Sequence, residues 1–230
     1  MTMSIEEAVR NRHSVRSYTD EPLSAAERAE LERAIAEGNA QGNLHMKLVC
    51  DDTEAFDSAM AHYGKFSGVK NYIVIAGTPA DDLDERGGYW GERVVLAAQQ
   101  LGLGTCWVAM TFKKRYVKKS VAAGDKLVIV ISVGHGTTTG VPRGKNKTPE
   151  QVSKSVAVAP DWFKRGIDWA LLAPTAMNQQ KFAIELANGT HNGKQLVSAR
   201  SLGGPYSKVD LGIVKCHFAL GAGEGNFVWA

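Results

Sequence analysis

Arg12-His13-Ser14-Val15-Arg16 places two guanidiniums and a hydroxyl within five residues, just after a first helical pattern. On extended backbone those groups can converge on one small anion. Arginine offers planar, charge-assisted forks that suit phosphate, and the serine adds a further donor. Cations at this place also complement a helix C-terminus, and spacing alone leaves both readings open. A second cationic cluster, Arg143-Gly-Lys-Asn-Lys147, follows an apolar run, in the kind of loop where α/β folds place ligands. A solvated basic loop has the same composition. The stretch Ala173-Pro-Thr-Ala-Met-Asn-Gln-Gln180 is rich in amides that donate and accept. It suits the alternating C=O and N–H edges of a flat heterocycle, or the backbone of an ordinary connection.

Other constellations carry less. Gly134-His-Gly136 after an apolar run is not followed by a helix, so a dinucleotide fingerprint is rejected. The six histidines form no HExxH and pair with no cysteine, so no metal site is expected. No GxSxG elbow occurs. His217 reads as a core histidine. Glu92 and Asp210 occupy matching places in two helical stretches and read as surface carboxylates, with Asp210 also a candidate cap or ligand contact. Tyr18, Tyr63 and Tyr206 are the candidate proton donors, and no side chain stands out as catalytic.

These segments need elements to hold them. Ser4 can cap a helix reaching about Arg12, and Ser24 can open another that ends at Gly38. Met46–Cys50 alternates as a half-buried strand does. Residues 71–76 are a continuous apolar run and read as a central strand, and 126–133 read as another buried strand. A helix over 88–101, a strand after Gly102 and a helix from Trp162 to about Leu172 complete the outline. Residues 170–186 then match 34–50 in type, as helix end, polar loop and alternating strand. Residues 203–230 likewise echo 87–109. The chain therefore reads as one unit used twice, divided as 1–150 and 151–230, with no counterpart of the 71–76 strand in the second half. Chance similarity of helix-loop-strand units is the competing account.

Length and composition fit this outline. The 230 residues include 44% apolar and 22% charged, enough for a core without disulfides or a structural metal. A net charge of +3 is too mild to argue for nucleic acid. Three cysteines without a CxxC pair read as buried, reduced thiols, and no signal peptide or membrane span of roughly 18–20 apolar residues is found. The expected compartment is the cytoplasm.

Taken in order, the segments resemble the FMN-dependent nitroreductase family. IEEAVRNRHSVRSYTDEPL is similar to its Arg-x-Ser-x-Arg entry motif, GYWGERVVLAAQQLGLGTCWVAM to its central helix and strand, and GKNKTPEQV to its basic loop. APTAMNQQKF resembles its Pro-Ser-x-x-Asn-x-Gln loop, displaced from its usual place after the second helix, where AEGNAQGNLHM stands instead. A smaller branch of the family shows this displacement, and the chain is most similar to that branch. The resemblance implies an α+β fold of two related halves. In ordinary members two subunits each supply part of a flavin site. Here the first half has the Arg motif and the second the Asn loop, which implies a fused pseudo-dimer with one FMN per chain, monomeric or dimerised again.

By resemblance, Arg12, Ser14 and Arg143, Lys145 or Lys147 would hold the phosphate, with His13 beside them. Arg16 would approach the ribityl chain or pyrimidine edge. Thr175, Asn178 and Gln180, with Pro174 and Ala176, would contact ribityl and ring. Ala109, Met110 and Thr111 would pass near flavin N5, where many relatives have paired glycines in place of Ala109-Met110. The implied chemistry is ping-pong hydride transfer from NADH or NADPH through FMN to a small electron-poor acceptor such as a nitroaromatic or quinone. A non-catalytic flavin-binding protein and a phosphate- or nucleotide-binding protein without flavin are the alternatives.

Overall fold

The computed structural model describes residues 3–139 and 146–230. The chain divides into two compact units, Met1–Pro142 and Arg143–Ala230.

In the first unit Ser4 caps α1 (Ile5–Asn11) and Ser24 caps α2 (Ala25–Gly42). Each cap is a reciprocal box with a glutamate three residues on, Glu7 or Glu27, which satisfies the first free N–H groups of the helix. Helix α2 continues past the stop expected at Gly38. That glycine serves packing: a Cβ there would lie 3.3 Å from Trp90 Cβ and closer still to Met46. Asn43, in the left-handed region at φ 47°, ends the helix instead. The segment expected as a polar loop is therefore largely helical.

Next come β1 (Lys47–Val49), α3 (Ala59–Tyr63), β2 (Asn71–Gly77), α4 (Leu83–Gln100), β3 (Gly104–Val108), α5 (Lys114–Val117) and β4 (Lys126–Gly134). The four strands form one sheet in the order β1-β2-β4-β3, every pair antiparallel. Every residue of β2 is buried, as its unbroken apolar run requires. Helices α2 and α4 pack together, and α1 lies along α4.

An extended segment after α1 is laced onto this sheet. Val15 N–H donates to Thr105 O at 2.9 Å, Tyr18 N–H to Ser67 O at 3.0 Å and Thr19 N–H to His135 O at 2.8 Å. The buried Tyr18 hydroxyl donates to Val15 O and meets Ser132 Oγ, both at 2.7 Å. Burial pushes its pKa far above the usual phenol range, against the pull of Ser132. Tyr18 is thus an anchor, not the proton donor considered above.

The second unit contains α6 (Pro149–Val152), α7 (Asp161–Ala170), β5 (Phe182–His191), β6 (Lys194–Ser201), α8 (Ser207–Ala222) and β7 (Phe227–Trp229). Helices α7 and α8 pack together, and the sheet order is β5-β6-β7. Strand β6 pairs antiparallel with β5 and parallel with β7. The first sheet would show the same directions if β4 were removed, because β2 and β3 both run opposite to β4. Strand β6 therefore stands where β2 stands in the first unit. The missing counterpart, among the described residues, is that of β4 and not of the 71–76 strand. Phe218 centres the core, with ring centroids 5.2 Å from Phe227, 5.3 Å from Phe163 and 5.4 Å from Trp229.

Cys106 and Cys216 are buried, whereas Cys50 is partly exposed, against the expectation for it. Among the described residues no helix is long and apolar enough to cross a membrane.

Gly68 sits at φ +68°, and a Cβ on it would collide with the backbone carbonyl of Tyr18. Gly68→Ala should cost about 2–3 kcal/mol through left-handed strain and that clash. A thermal melt followed by circular dichroism should drop by roughly 4–12 °C in a chain of this size. An unchanged melt would mean that the extended segment is not laced as described.

Candidate functional site

Because the backbone after α1 is extended, alternate side chains share a face. Arg12, Ser14 and Arg16 lie on one side, and all three act on the Cys106 thiol of β3. Burial pushes that thiol's pKa up, while Arg16, Ser14 and Arg12 all pull it down. Val15 faces the other way, into the core. The two guanidiniums differ in setting. Arg16 is exposed, its Cζ 6.0 Å from the Phe66 ring centroid. Arg12 is 3% exposed and ion-paired with Glu92 at 3.7 Å, and Glu92 also accepts a hydrogen bond from Trp107 Nε1 at 2.8 Å. Burial pulls the Arg12 pKa down, and Glu92 opposes this. Part of the Arg12 charge is thus met from within, leaving Arg16 as the accessible cation of the motif. His13 is half-buried, with Nδ1 2.8 Å from Asn11 O.

Ala109, Met110 and Thr111 follow β3. Met110 is 66% exposed, so its side chain lies outside the core. Thr111 packs so closely on Gly64 that a Cβ there would sit 2.8 Å from it.

In the second unit the loop after α7 carries Pro174, Thr175, Ala176, Asn178 and Gln180. Met177, Asn178 and Gln180 are left-handed, at φ 50°, 52° and 45°. Asp210 holds the loop: Ala176 N–H donates to its two oxygens at 3.0 and 3.1 Å, and Gln179 Nε2 donates to Oδ2 at 2.7 Å. Burial raises the Asp210 pKa, with Gln179 and Ala176 pulling the other way. Thr175 Oγ1 accepts from Gln180 N–H at 3.1 Å. Asn178 is half-buried, and its amide donates to Asn146 Oδ1 at 3.3 Å.

Gln180, 1% exposed, spends its side chain on the protein. Its amide nitrogen donates to Leu171 O at 3.0 Å, and its Oε1 accepts from Lys147 N–H at 2.7 Å. Lys147 Nζ donates to Gln180 O at 2.7 Å. Gln180 and Lys147 therefore brace one another, and the structure gives Gln180 a supporting place in the loop instead of the ring contact expected of it. Arg143 and Lys145 lie outside the described residues.

Two cavities in the first unit, about 170 and 230 Å³, are lined by residues such as Tyr18, Lys70 and His135, and by Phe56, Phe66 and Lys70. None of the residues expected to bind the cofactor lines either.

A family model described as "Putative TM nitroreductase" matches residues 4–222. The chain belongs to this nitroreductase family. No curated protein sequence matches it. Among solved structures, a "putative nitroreductase" from Thermotoga maritima aligns at 22% identity and TM-score 0.66, covering 97% of this chain and 86% of that one. A protein of the same description from Desulfovibrio desulfuricans, in complex with FMN, aligns at 20% identity and TM-score 0.51 over 66% of this chain and 96% of its own. A "Putative NADH dehydrogenase/NAD(P)H nitroreductase" from Parabacteroides distasonis shows 23% identity and TM-score 0.51, over 64% and 95%. The fold is that of the nitroreductases.

Sequence reasoning places both Glu92 and Asp210 of this nitroreductase on the surface. Instead Glu92 is fully buried and Asp210 is 8% exposed. A signal was present for Glu92, which stands next to Gly91 and two residues before the apolar VVLAA run of its helix. For Asp210 it was the flanking Val209 and Leu211.

Replacing Glu92 leaves the Arg12 charge buried beside a neutral partner. Glu92→Gln should cost about 3–5 kcal/mol, read from urea midpoints. Adding Arg12→Met should recover part of that loss; a double variant no more stable than Glu92→Gln would show that the pairing is not the cause.

Glu185 of β5 anchors the turn after α6, accepting from Lys154 N–H at 2.9 Å, Ser155 N–H at 3.0 Å and Ser155 Oγ at 2.8 Å. Burial works to raise its pKa, but these donors prevail and lower it. A carboxylate depressed in the folded state stabilises above its unfolded pKa, and that contribution is lost as pH falls through the folded value. The stability gap between wild type and Glu185→Gln should therefore be greatest above about pH 4.5 and shrink below it, measured by urea midpoints across pH. A gap independent of pH would count against the lowered carboxylate.

Proposed function

We propose that this nitroreductase-family chain binds one FMN and passes electrons from NAD(P)H through it to a small electron-poor acceptor, such as a nitroaromatic or quinone. The observation that carries the reading is the division of a ligand set between the two units. The first presents Arg12, Ser14 and Arg16 on one face of an extended segment, and the second presents the Thr175–Gln180 loop. Neither unit carries both among the described residues.

The donor set fits the cofactor. Arg16 and Ser14 supply a cation and a hydroxyl suited to a phosphate or a polyol. The loop supplies Thr175 and Asn178 on a backbone already fixed by Asp210 and Gln180. When bound, FMN would supply the two-electron carrier, and the protein binds, orients and tunes it. Arg16 brings positive charge toward the pyrimidine edge and favours its reduced form. Exposed Met110 and half-buried Ala109 border the approach to the ring, and no side-chain acid or base is required of the chain. A protein that aligns with two thirds of this chain over nearly its whole length is solved in complex with FMN, which supports the choice of cofactor.

The test is the visible spectrum of purified protein incubated with excess FMN and gel-filtered. Retention of about one FMN per chain, bleached by NADH or NADPH without air, is the expected result. Two per chain would overturn the divided site, flavin that resists NAD(P)H would leave a binding protein without turnover, and no flavin would remove the reading. Arg16→Ala and Ser14→Ala should each weaken FMN binding by about 10- to 100-fold, the loss of one charge-assisted contact. Titration by flavin fluorescence quenching would measure this.

A further inference from the structure

We propose that Asp210 is a positioning residue for the Thr175–Gln180 loop, holding it in the conformation that presents Asn178 to the cofactor. This rests on the preceding reading of FMN binding. Two consecutive non-glycine residues, Met177 and Asn178, stand in the left-handed region, which asparagine tolerates but methionine adopts only under constraint. Met177 is 86% exposed and packs on little, so the constraint does not come from its side chain. It comes from the ends of the turn. On one side Ala176 N–H is held by both Asp210 oxygens. On the other, the Gln179 amide is shared between Asp210 Oδ2 and Pro205 O, at 2.7 and 2.9 Å. Met177 and Asn178 lie between these two fixed points and must arch.

Asp210 lies in the first turn of α8, where an acid ordinarily faces the free N–H groups of its own helix. Here its hydrogen bonds go to the loop instead. The helix enters through Tyr206, itself left-handed at φ 56° and without a side-chain cap. A carboxylate serves this place better than an amide. It accepts on both oxygens at once, whereas asparagine would turn an N–H₂ toward either the Ala176 N–H or the Gln179 amide.

The experiment compares wild type with Asp210→Ala, Asp210→Asn, Asn178→Ala and the Asp210→Ala/Asn178→Ala double variant. Amide hydrogen exchange without flavin should show Ala176 at least about tenfold less protected in Asp210→Ala, and β5 unchanged. FMN affinity should fall by about 10- to 100-fold in Asp210→Ala and less in Asp210→Asn, which keeps one acceptor. The double variant should bind about as weakly as the weaker single variant, because Asp210 acts through Asn178. Purely structural damage would add to the Asn178→Ala loss and would not be graded between alanine and asparagine. If Asp210→Ala fails to fold, Asp210→Asn carries the same comparison. Unchanged Ala176 protection overturns the proposal. Lost protection with unchanged FMN affinity overturns it too, while leaving FMN binding intact. If wild type takes up no FMN, the cofactor reading falls first and the proposal falls with it.

Discussion

A carboxylate that leaves water must be met by donors or a cation, or it takes up a proton or destabilises what surrounds it. In this chain two of the long packed helices, α4 and α8, each bury one such group. Glu92 is met by the Arg12 guanidinium and the Trp107 indole, and Asp210 by the Ala176 N–H and the Gln179 amide. In both units the partners belong to the segment that carries candidate ligands. The need to satisfy a buried charge therefore ties the Arg-x-Ser-x-Arg segment to α4 in one unit and the amide-rich loop to α8 in the other. In the second unit the Phe218 aromatic cluster holds α8 in its core, where its carboxylate can reach the loop.

Much of this was legible from residue order. Strands β2 and β4 are dominated by apolar residues, and a buried strand has few other ways to look. Ser4 and Ser24 announce α1 and α2 because a capping box is local chemistry, complete within four residues. The amide loop and the Arg motif were visible as types at a spacing, and their family resemblance carried the fold.

What stayed hidden depends on partners distant in sequence. Glu92 and Asp210 look like surface acids until Arg12 and Ala176 arrive beside them. Gln180 looks like a ligand until its amide is seen engaged with Leu171 and Lys147. Gly38 reads as a helix stop, yet its lack of a side chain makes room for Trp90 and Met46. Strand β6, with the sequence KQLVSARS, has only Val197 fully buried and gives almost no apolar signal, although it sits in the middle of its sheet.

The Lys147–Gln180 brace also ties two loops together. Lys147 ends the basic stretch, and both its backbone N–H and its ammonium are held by Gln180, the last residue of the amide loop. Neither end can shift without drawing on the other. Moving Lys147 would strip the side-chain and backbone carbonyls of Gln180 of their donors at once, so the brace makes the end of the basic stretch and the end of the amide loop one mechanical unit, fixed before any ligand arrives.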